Sequence, residues 1–177
     1  MYVVLMAMLA LNISTEVLNG FSIVEESLNR TTSNSSKENE SIYSDFLEQM
    51  KTNPEKVKAW FDKATMVKQM SDSLYNYAQS LKEQIVKEAD GDDADLNNIV
   101  GKDNLEAAAH VMLAPGTGQG KKLYDAINSY RERILKMVND DHQRQLIAEN
   151  LSTKIPKKGN ALGKNWQEYM FENMPVA

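Results

Sequence analysis

The segment PEKVKAWFDKATMVKQMSDSLYNYAQSLKEQIVKEA, residues 54–89, decides the predicted fold of this chain. Its apolar positions recur at alternating intervals of three and four residues, which is the spacing of one face of an α-helix. Such a helix would extend about 54 Å at 1.5 Å per residue. We expect this face to form the seam of a helical bundle, with Trp60, Val67, Leu74, Leu81 and Ile85 as its main contacts.

The start of this helix is marked by Asn53 and Pro54. Proline disfavours the α conformation in the residue before it and is well tolerated at the first helical position. We therefore predict Asn53 as the N-cap, with Glu55 beside the positive end of the helix dipole. The acidic sequence DGDDADLNN, residues 90–98, should form a loop after the helix.

Working towards the amino terminus, residues 1–28 contain the most apolar part of the chain. Every residue from Tyr2 to Leu11 is apolar or aromatic. The later apolar positions are spaced by three or four residues, which predicts an amphipathic helix. They are Ile13, Val17, Leu18, Phe21, Val24 and Leu28.

Three interpretations of the apolar run are open. Ten helical residues rise about 15 Å, half of the hydrocarbon core, so the run is too short to span a bilayer alone. The first interpretation is a signal peptide, but a signal peptide would have a basic segment before the apolar run. The second is a buried core helix. Glu16, Glu25 and Glu26 precede the first cation, Arg30, which favours the third: the outward half of a transmembrane helix.

The remaining segments complete the prediction of an all-α, elongated bundle of about four main helices. Residues 29–41 have no apolar member and predict a hydrophilic turn or a solvated helix end, with Ser35 or Ser36 capping a short helix that follows. The predicted later elements are a helix over residues 103–114, a Gly-rich turn over 115–121, a long helix from Lys122 interrupted at Asp140 and Asp141, and a C-terminal amphipathic helix over 165–174 capped by Asn165.

Composition limits the classes of protein. With 177 residues, 42% of them hydrophobic, the chain suits one domain, residues 29–177, plus an anchor, residues 1–28. A net charge of -5 argues against nucleic acid as a partner, because nucleic-acid binding needs a basic face. The absence of cysteine from the sequence excludes disulfides and thiolate metal ligands.

The spacing of the candidate residues does not match known motifs for cofactor or metal binding. A calcium loop starting at Asp93 would have Asn98 where Gly is needed and Asn104 where the bidentate Glu is needed. A phosphate-binding loop would need Gly where Pro115 stands and Ser or Thr where Lys122 stands. The two histidines form no zinc-binding pair, so we expect no catalytic, cofactor or metal site.

Four segments carry a resemblance to a known family. They are MYVVLMAMLALNISTEVLNGF, NPEKVKAWFDKATMVKQMSDSLYNYAQSLKEQIVKEADG, GTGQGKKL and NWQEYMFENMPVA. Together they resemble the amino-terminal part of the GldM/PorM family, the M proteins of gliding motility and Por (type IX) secretion in Bacteroidetes. The family has a basic cytoplasmic segment and more of the membrane helix before the part that matches Met1, so the resemblance implies a partial anchor here.

The resemblance also implies a function. Family members are inner-membrane dimers whose helices sit inside a ring of an L-type partner, forming a motor driven by the proton-motive force. Their first periplasmic domain is helical, and later domains, absent here, reach outer-membrane ring components. We therefore expect a non-enzymatic motor and scaffold subunit, homodimeric, in the inner membrane and largely periplasmic.

The residues expected to make helix contacts in or near the membrane are Leu5, Met8, Leu9, Asn12 and Asn19. Asn12 and Asn19 lie seven residues apart and would set the register of a dimer, or would be interfacial polar residues. The alternative function is a membrane-tethered helical sensor that binds a small ligand. A polar pocket between the helix of residues 54–89 and the helix after Lys122 would support that alternative.

Overall fold

The computed structural model describes residues 14–158 and 161–177. These residues are 74% helical and contain no strand, which confirms the all-α prediction. The six α-helices are α1 (Thr15–Thr52), α2 (Pro54–Asp90), α3 (Ala107–Leu113), α4 (Gly120–Met137), α5 (Asp141–Asn150) and α6 (Trp166–Phe171). A single 3-10 turn, Gly91–Asp93, follows α2 in the described chain.

Helix α1 is continuous over 38 residues, so the predicted turn at residues 29–41 is wrong. Neither Ser35 nor Ser36 caps a helix, because both lie inside α1. The observed cap is Ser14, whose hydroxyl accepts a hydrogen bond from the Val17 N–H at 3.3 Å. Hydrogen bonds from the backbone and from Ser14 lower the pKa of Glu16 in the first turn of the helix.

Residues 29–41 are helical although the stretch has no apolar periodicity. This stretch contains no Gly or Pro, and Ser, Thr and Asn cost only about 0.5–0.7 kcal/mol each relative to Ala. Helix extension is cooperative, so a segment held at both ends propagates through a weak middle. Thr31 satisfies its hydroxyl by donating to the Ser27 carbonyl at 2.9 Å.

Helix α2 begins at Pro54 and ends at Asp90, which agrees with the predicted start and lies one residue beyond the predicted end. Asn53 is the residue between α1 and α2, as predicted, but its side chain makes no capping hydrogen bond. Its backbone N–H instead donates to the Gln49 carbonyl at 2.8 Å, which closes α1. The tight connection makes α1 and α2 an antiparallel hairpin.

Contacts at two levels hold the hairpin together. Near the turn, the rings of Tyr43 and Phe61 stack with their centroids 5.6 Å apart, and the Tyr43 hydroxyl lies 3.0 Å from Thr65 Oγ1. Near the other end, Lys82 Nζ lies 3.4 Å from Glu25 Oε1. Between these levels every residue from 26 to 42 is exposed, so the hairpin is fixed at its two ends.

The core lies where the end of α2 meets α3 and α4. Its members are buried apolar side chains, with Met112 the largest of those that are fully buried. They are Leu81, Val86, Ile99, Ala107, Ala108, Met112, Ile134 and Ala161. Helix α2 also packs against α1, and α6 packs against α3 and α4.

The segment between α2 and α3 is held by side-chain caps. Both carboxylate oxygens of Asp90 accept backbone hydrogen bonds, from Val100 at 2.8 Å and from Gly101 at 2.6 Å. Asn104 Oδ1 accepts from the backbone N–H groups of Glu106 and Ala107 at 2.9 and 3.0 Å. This Asn104 turn explains why α3 begins only at Ala107, later than the predicted helix over residues 103–114.

The carboxyl-terminal segment folds back onto the core. Asn165 caps α6 as predicted, in a capping box with Glu168, although the helix is shorter than the predicted span of residues 165–174. The backbone N–H groups of Val176 and Ala177 both donate to the Lys102 carbonyl, at 3.1 and 3.3 Å. Lys102 Nζ in turn donates to Ser22 Oγ at 2.9 Å, which ties this segment to α1.

None of the helices within residues 14–158 and 161–177 combines the length and the apolarity needed to cross a membrane.

The stacked pair near the hairpin turn gives a stability prediction. Replacing Tyr43→Ala removes the ring contact with Phe61 and the hydrogen bond with Thr65, so we expect the free energy of unfolding to fall by about 2 kcal/mol. Tyr43→Phe removes only the hydrogen bond and should cost about 0.5–1.5 kcal/mol. Urea denaturation followed by circular dichroism measures both.

Tyr75→Phe is the matched control, because Tyr75 is 52% exposed and, within the part of the chain that the structure describes, its hydroxyl accepts a hydrogen bond only from Gln79 on the same helix. This change should alter stability by less than about 0.5 kcal/mol. Equal losses for Tyr43→Ala and Tyr75→Phe would contradict the assignment of the Tyr43 contact as a fastening point of the hairpin.

Candidate functional site

The residues predicted to contact membrane or partner helices fall mostly outside the described chain. Leu5, Met8, Leu9 and Asn12 all precede residue 14. Asn19 lies in the second turn of α1 and is exposed. At 100° per residue it is about 160° away from Val17, on the side of α1 opposite the apolar positions that follow Val17.

The predicted seam residues lie on α2 with different degrees of burial. Leu81 is buried, with 3% of its surface exposed, and Val67, Leu74 and Ile85 are half-buried. Trp60 leaves 63% of its surface exposed, and the Lys63 ammonium lies 5.1 Å from the centre of its ring. Burial within this chain therefore increases from the hairpin turn towards the end of α2.

Helices α2 and α4 meet through polar as well as apolar contacts. The hydroxyls of Ser71 and Tyr130 lie 2.7 Å apart, and the Tyr77 hydroxyl donates to Gln119 Oε1 at 3.5 Å. Burial raises the pKa of Tyr77, as expected for a phenol removed from water. These hydroxyls hydrogen-bond across the helix contact.

The Gly-rich turn at residues 115–121 serves close packing. A Cβ atom added at Gly118 would lie 2.7 Å from the Met112 carbonyl oxygen. At Gly120, which is buried, it would lie 2.7 Å from Gln167 Cβ and 2.8 Å from the same carbonyl oxygen. The two glycines therefore allow α3, α4 and α6 to approach one another, a reason for glycine that differs from phosphate binding.

The acidic loop and the histidines make local contacts. Asp95 Oδ1 accepts a hydrogen bond from the backbone of Asn97 at 2.8 Å, which forms a tight turn. His110 Nδ1 lies 3.1 Å from Glu88 Oε1 and joins α3 to α2. Throughout the described ranges, no group of three or more His, Cys, Asp or Glu side chains is arranged to hold a metal ion.

An open groove of about 1120 Å³ is the best candidate for a binding site. One wall is the face of α4 that carries Lys121, Tyr124, Asn128 and Arg131, at intervals of three and four residues. The other walls are α5, the loop of residues 151–158, which connects α5 towards α6, and the start of α6. The aromatic part of the groove is the pair of Tyr124 and Trp166, whose ring centroids are 5.6 Å apart.

A hydrogen-bond network fixes the loop of residues 151–158 against α4. Arg131 donates to the Leu151 carbonyl at 3.0 Å and to Asn128 Oδ1. Thr153 Oγ1 donates to the same Asn128 oxygen at 3.1 Å. Asn128 and Arg131 therefore determine where the loop lies, and with it the positions of Lys154 and Lys157.

The groove is positively charged in a chain whose net charge is -5. Its lining contains Lys121, Arg131, Lys154 and Lys157, and no Asp or Glu among the residues that the structure describes. Lys121 is paired with Asp125 at 2.6 Å, one turn further along α4. Lys154 and Lys157 have no carboxylate partner within the described chain and are exposed.

Sequence reasoning missed this groove because its walls come from segments far apart in the chain. The available signal was the loop IPKKGNALGK, which is rich in lysine, together with the 3-4 spacing of polar and aromatic residues on α4. Neither indicates that the loop returns to α4. The polar pocket predicted by the sensor alternative was expected between α2 and α4, whereas this groove lies on the face of α4 that carries α5 and α6.

Comparison with known proteins adds one finding. A family model described as the GldM N-terminal domain matches residues 16–177. No curated protein that was compared with the chain matches it.

The packing role of Gly120 gives a second prediction. Gly120→Ala should lower the free energy of unfolding by about 1–3 kcal/mol, because the new methyl group would overlap Gln167 and the Met112 carbonyl. Gly20→Ala is the matched control, since a Cβ there has no neighbour within 4 Å and α1 gains a better helix former. That change should stabilise the protein by about 0.5–1 kcal/mol.

Both variants are compared by thermal and urea unfolding. If Gly120→Ala stabilises the protein as much as Gly20→Ala does, the close approach of α4 to α6 is not what requires glycine at this position.

Proposed function

The chain belongs to the GldM N-terminal domain family, and from this premise we propose that it is a non-enzymatic motor and scaffold subunit anchored in the inner membrane. The family is a structural component of the multi-protein machinery for gliding motility and type IX secretion. In the proposed role, residues 1–28 continue a membrane anchor into a periplasmic helical domain, residues 29–177. The domain links a proton-driven membrane motor to components further out.

The continuity of α1 is the observation that carries this proposal. A helix of 38 residues extends about 57 Å, so movement of its first turn is transmitted to the hairpin turn without an intervening joint. A flexible turn at residues 29–41 would have absorbed such movement. Because α2 contacts α1 at Tyr43 and at Glu25, a movement of α1 would also move α2.

An exposed apolar stripe on α1 supports the proposed homodimer. Val17, Phe21, Val24 and Leu28 follow at intervals of four, three and four residues, which puts them on one face. They are 49%, 45%, 56% and 62% exposed in the single chain. A contiguous apolar stripe of this kind is typical of a contact with another helix or with lipid. We propose that a second copy covers it.

The other partners follow from the family. We propose a ring-forming L-type membrane protein around the anchor and outer-membrane ring components reached through further domains. Within the anchor, Leu5, Met8, Leu9, Asn12 and Asn19 are the proposed contacts. Asn12 and Asn19 would set helix register, although Asn19 lies on the side of α1 away from Val17, so this register contact would be separate from the apolar stripe.

A membrane-tethered sensor or ligand-binding domain is the second candidate function. The observation that favours it is the cationic groove beside α4, which has both aromatic and charged lining residues. In this role the groove would bind a ligand, and the hairpin of α1 and α2 would transmit the effect of binding. The two candidates differ in what α1 is needed for, which the following experiment tests.

Breaking α1 should abolish function under the motor and scaffold proposal. Ser35→Pro removes a helix hydrogen bond in the exposed middle of α1 and costs about 3 kcal/mol or more within the helix. We expect loss of gliding and of type IX secretion in cells of the native organism. Ser35→Ala, the matched control, keeps the helix and should retain both activities.

Immunoblots of membrane fractions establish that both variants are present at equal levels, and circular dichroism measures their helical content. Full gliding and secretion with Ser35→Pro, at reduced helical content, would contradict transmission through α1.

The dimer proposal is tested at Phe21. Phe21→Glu puts a charge into the proposed apolar contact and should weaken self-association of the full-length protein at least about tenfold. Thr15→Glu adds the same charge about 160° from Val17 around the helix and should leave association unchanged. Crosslinking in membranes and light scattering in detergent measure the dimer fraction; equal effects of the two changes would refute a contact through this stripe.

A further inference from the structure

The cationic groove beside α4 has a shape and charge that the proposed scaffold role does not use. We infer that it binds an extended acidic peptide segment of a partner protein. The inference rests on the lining residues, on their spacing along α4 and on the partners that they have within this chain. It goes beyond the proposed function and does not depend on it.

The cations of the groove are spread over more than the width of a single small anion, and two of them have partners within the chain: Lys121 pairs with Asp125, and Arg131 donates to the Leu151 carbonyl. Lys121 and Arg131 are ten residues apart on α4, which separates them by about 15 Å along the helix axis. A phosphate or a single carboxylate reaches one of these cations at a time. An extended peptide advances about 3.3 Å per residue, so roughly five residues cover the same distance.

The charges of the groove select a carboxylate-bearing segment. Lys154 and Lys157 are exposed and lack a carboxylate partner in the described chain, so they are available to an incoming acid. No Asp or Glu of the described chain lines the groove, and the Asp125 carboxylate beside it is already paired with Lys121. The chain as a whole has a net charge of -5, so its other surfaces would repel an acidic segment and favour its binding at this groove.

The apolar lining favours a peptide over a free polyanion. Ala148, Ile155, Tyr124 and Trp166 line the groove between the cations. Trp166 also makes an edge-to-face contact with Phe171, with ring centroids 5.9 Å apart at 82°, which helps to hold its ring in place. A segment that alternates acidic and apolar residues would place carboxylates on the lysines and apolar side chains against the rings.

The walls of the groove are preformed by hydrogen bonds within the chain. Its loop wall is fixed by the bonds of Asn128 to Arg131 and Thr153, and α6 is fixed by its capping box. A preformed wall reduces the entropy that a peptide must lose with its receptor on binding.

The test uses the intact chain and a fluorescein-labelled peptide of twelve residues in which Glu alternates with Ala and Leu. Fluorescence anisotropy measures its dissociation constant at low salt and at 0.15 M salt. A peptide with Gln in place of every Glu is the ligand control. We expect the Gln peptide to bind at least about tenfold more weakly, and the affinity of the Glu peptide to fall as salt increases.

Matched variants locate the site. Lys154→Gln with Lys157→Gln removes two charges from the groove, and Lys51→Gln with Lys56→Gln removes two exposed charges near the hairpin turn. The groove pair should weaken binding about tenfold and the control pair less than about twofold, since each rim charge contributes modestly. All four positions are exposed, so thermal unfolding should be unchanged for both pairs.

Four results of the binding experiments would overturn the inference. They are equal binding of the Gln peptide, equal weakening by the two lysine pairs, no measurable binding of the Glu peptide, and displacement of the peptide by inorganic phosphate at the peptide's own concentration. A change in oligomeric state with the groove pair, without peptide binding, would identify the groove as a contact between copies and would overturn it as well. The motor and scaffold proposal is unaffected by any of these results, because its test is the continuity of α1.

Discussion

Burial of the last third of α2 against α3 is the interaction on which the rest of this structure depends. Leu81 and Val86 from α2 and Met112 from α3 are among the few side chains with almost no exposed surface. Since α2 also packs against α1 and α4, three of the helices that the structure describes meet on α2. Near the hairpin turn, in contrast, the side chains of the described chain are at most half-buried, and the contacts include an aromatic stack and a hydroxyl pair.

The difference between α1 and α2 explains what could be predicted from the sequence. Helix α2 can be predicted from its local sequence, because Pro54 marks its start and apolar residues mark one face throughout. In α1 the apolar face stops at Leu28 and resumes at Ile42, so periodicity alone predicts an interruption. The helix continues because its two ends are fixed on α2 and because nothing between them forbids helical geometry. That information is tertiary and cooperative, and no local pattern contains it.

The groove was beyond sequence reasoning for a related reason. Lys121 and Arg131 are recognisable as one face of α4, but the side to which Lys154 and Lys157 return depends on the bonds of Asn128 with Arg131 and Thr153. A polar network within a solvated surface leaves no trace in hydrophobic periodicity. The glycines of the 115–121 turn do not have the spacing of a phosphate-binding loop, but the sequence alone did not show that Gly118 and Gly120 are needed for close helix packing.

The two surfaces that this chain leaves available are chemically distinct, and their separation follows from the fold. The apolar stripe lies on the first turns of α1, whereas the cationic groove is built on α4, and α2 packs against both of these helices. The groove combines lysines with aromatic side chains and suits a segment that carries acidic as well as apolar residues, whereas an acidic segment gains nothing from Val17 and Phe21. Under the roles proposed above, a partner held on α1 and a partner held beside α4 would therefore not compete for the same surface. Helix α2 packs against both α1 and α4, so it is the element that connects the two surfaces.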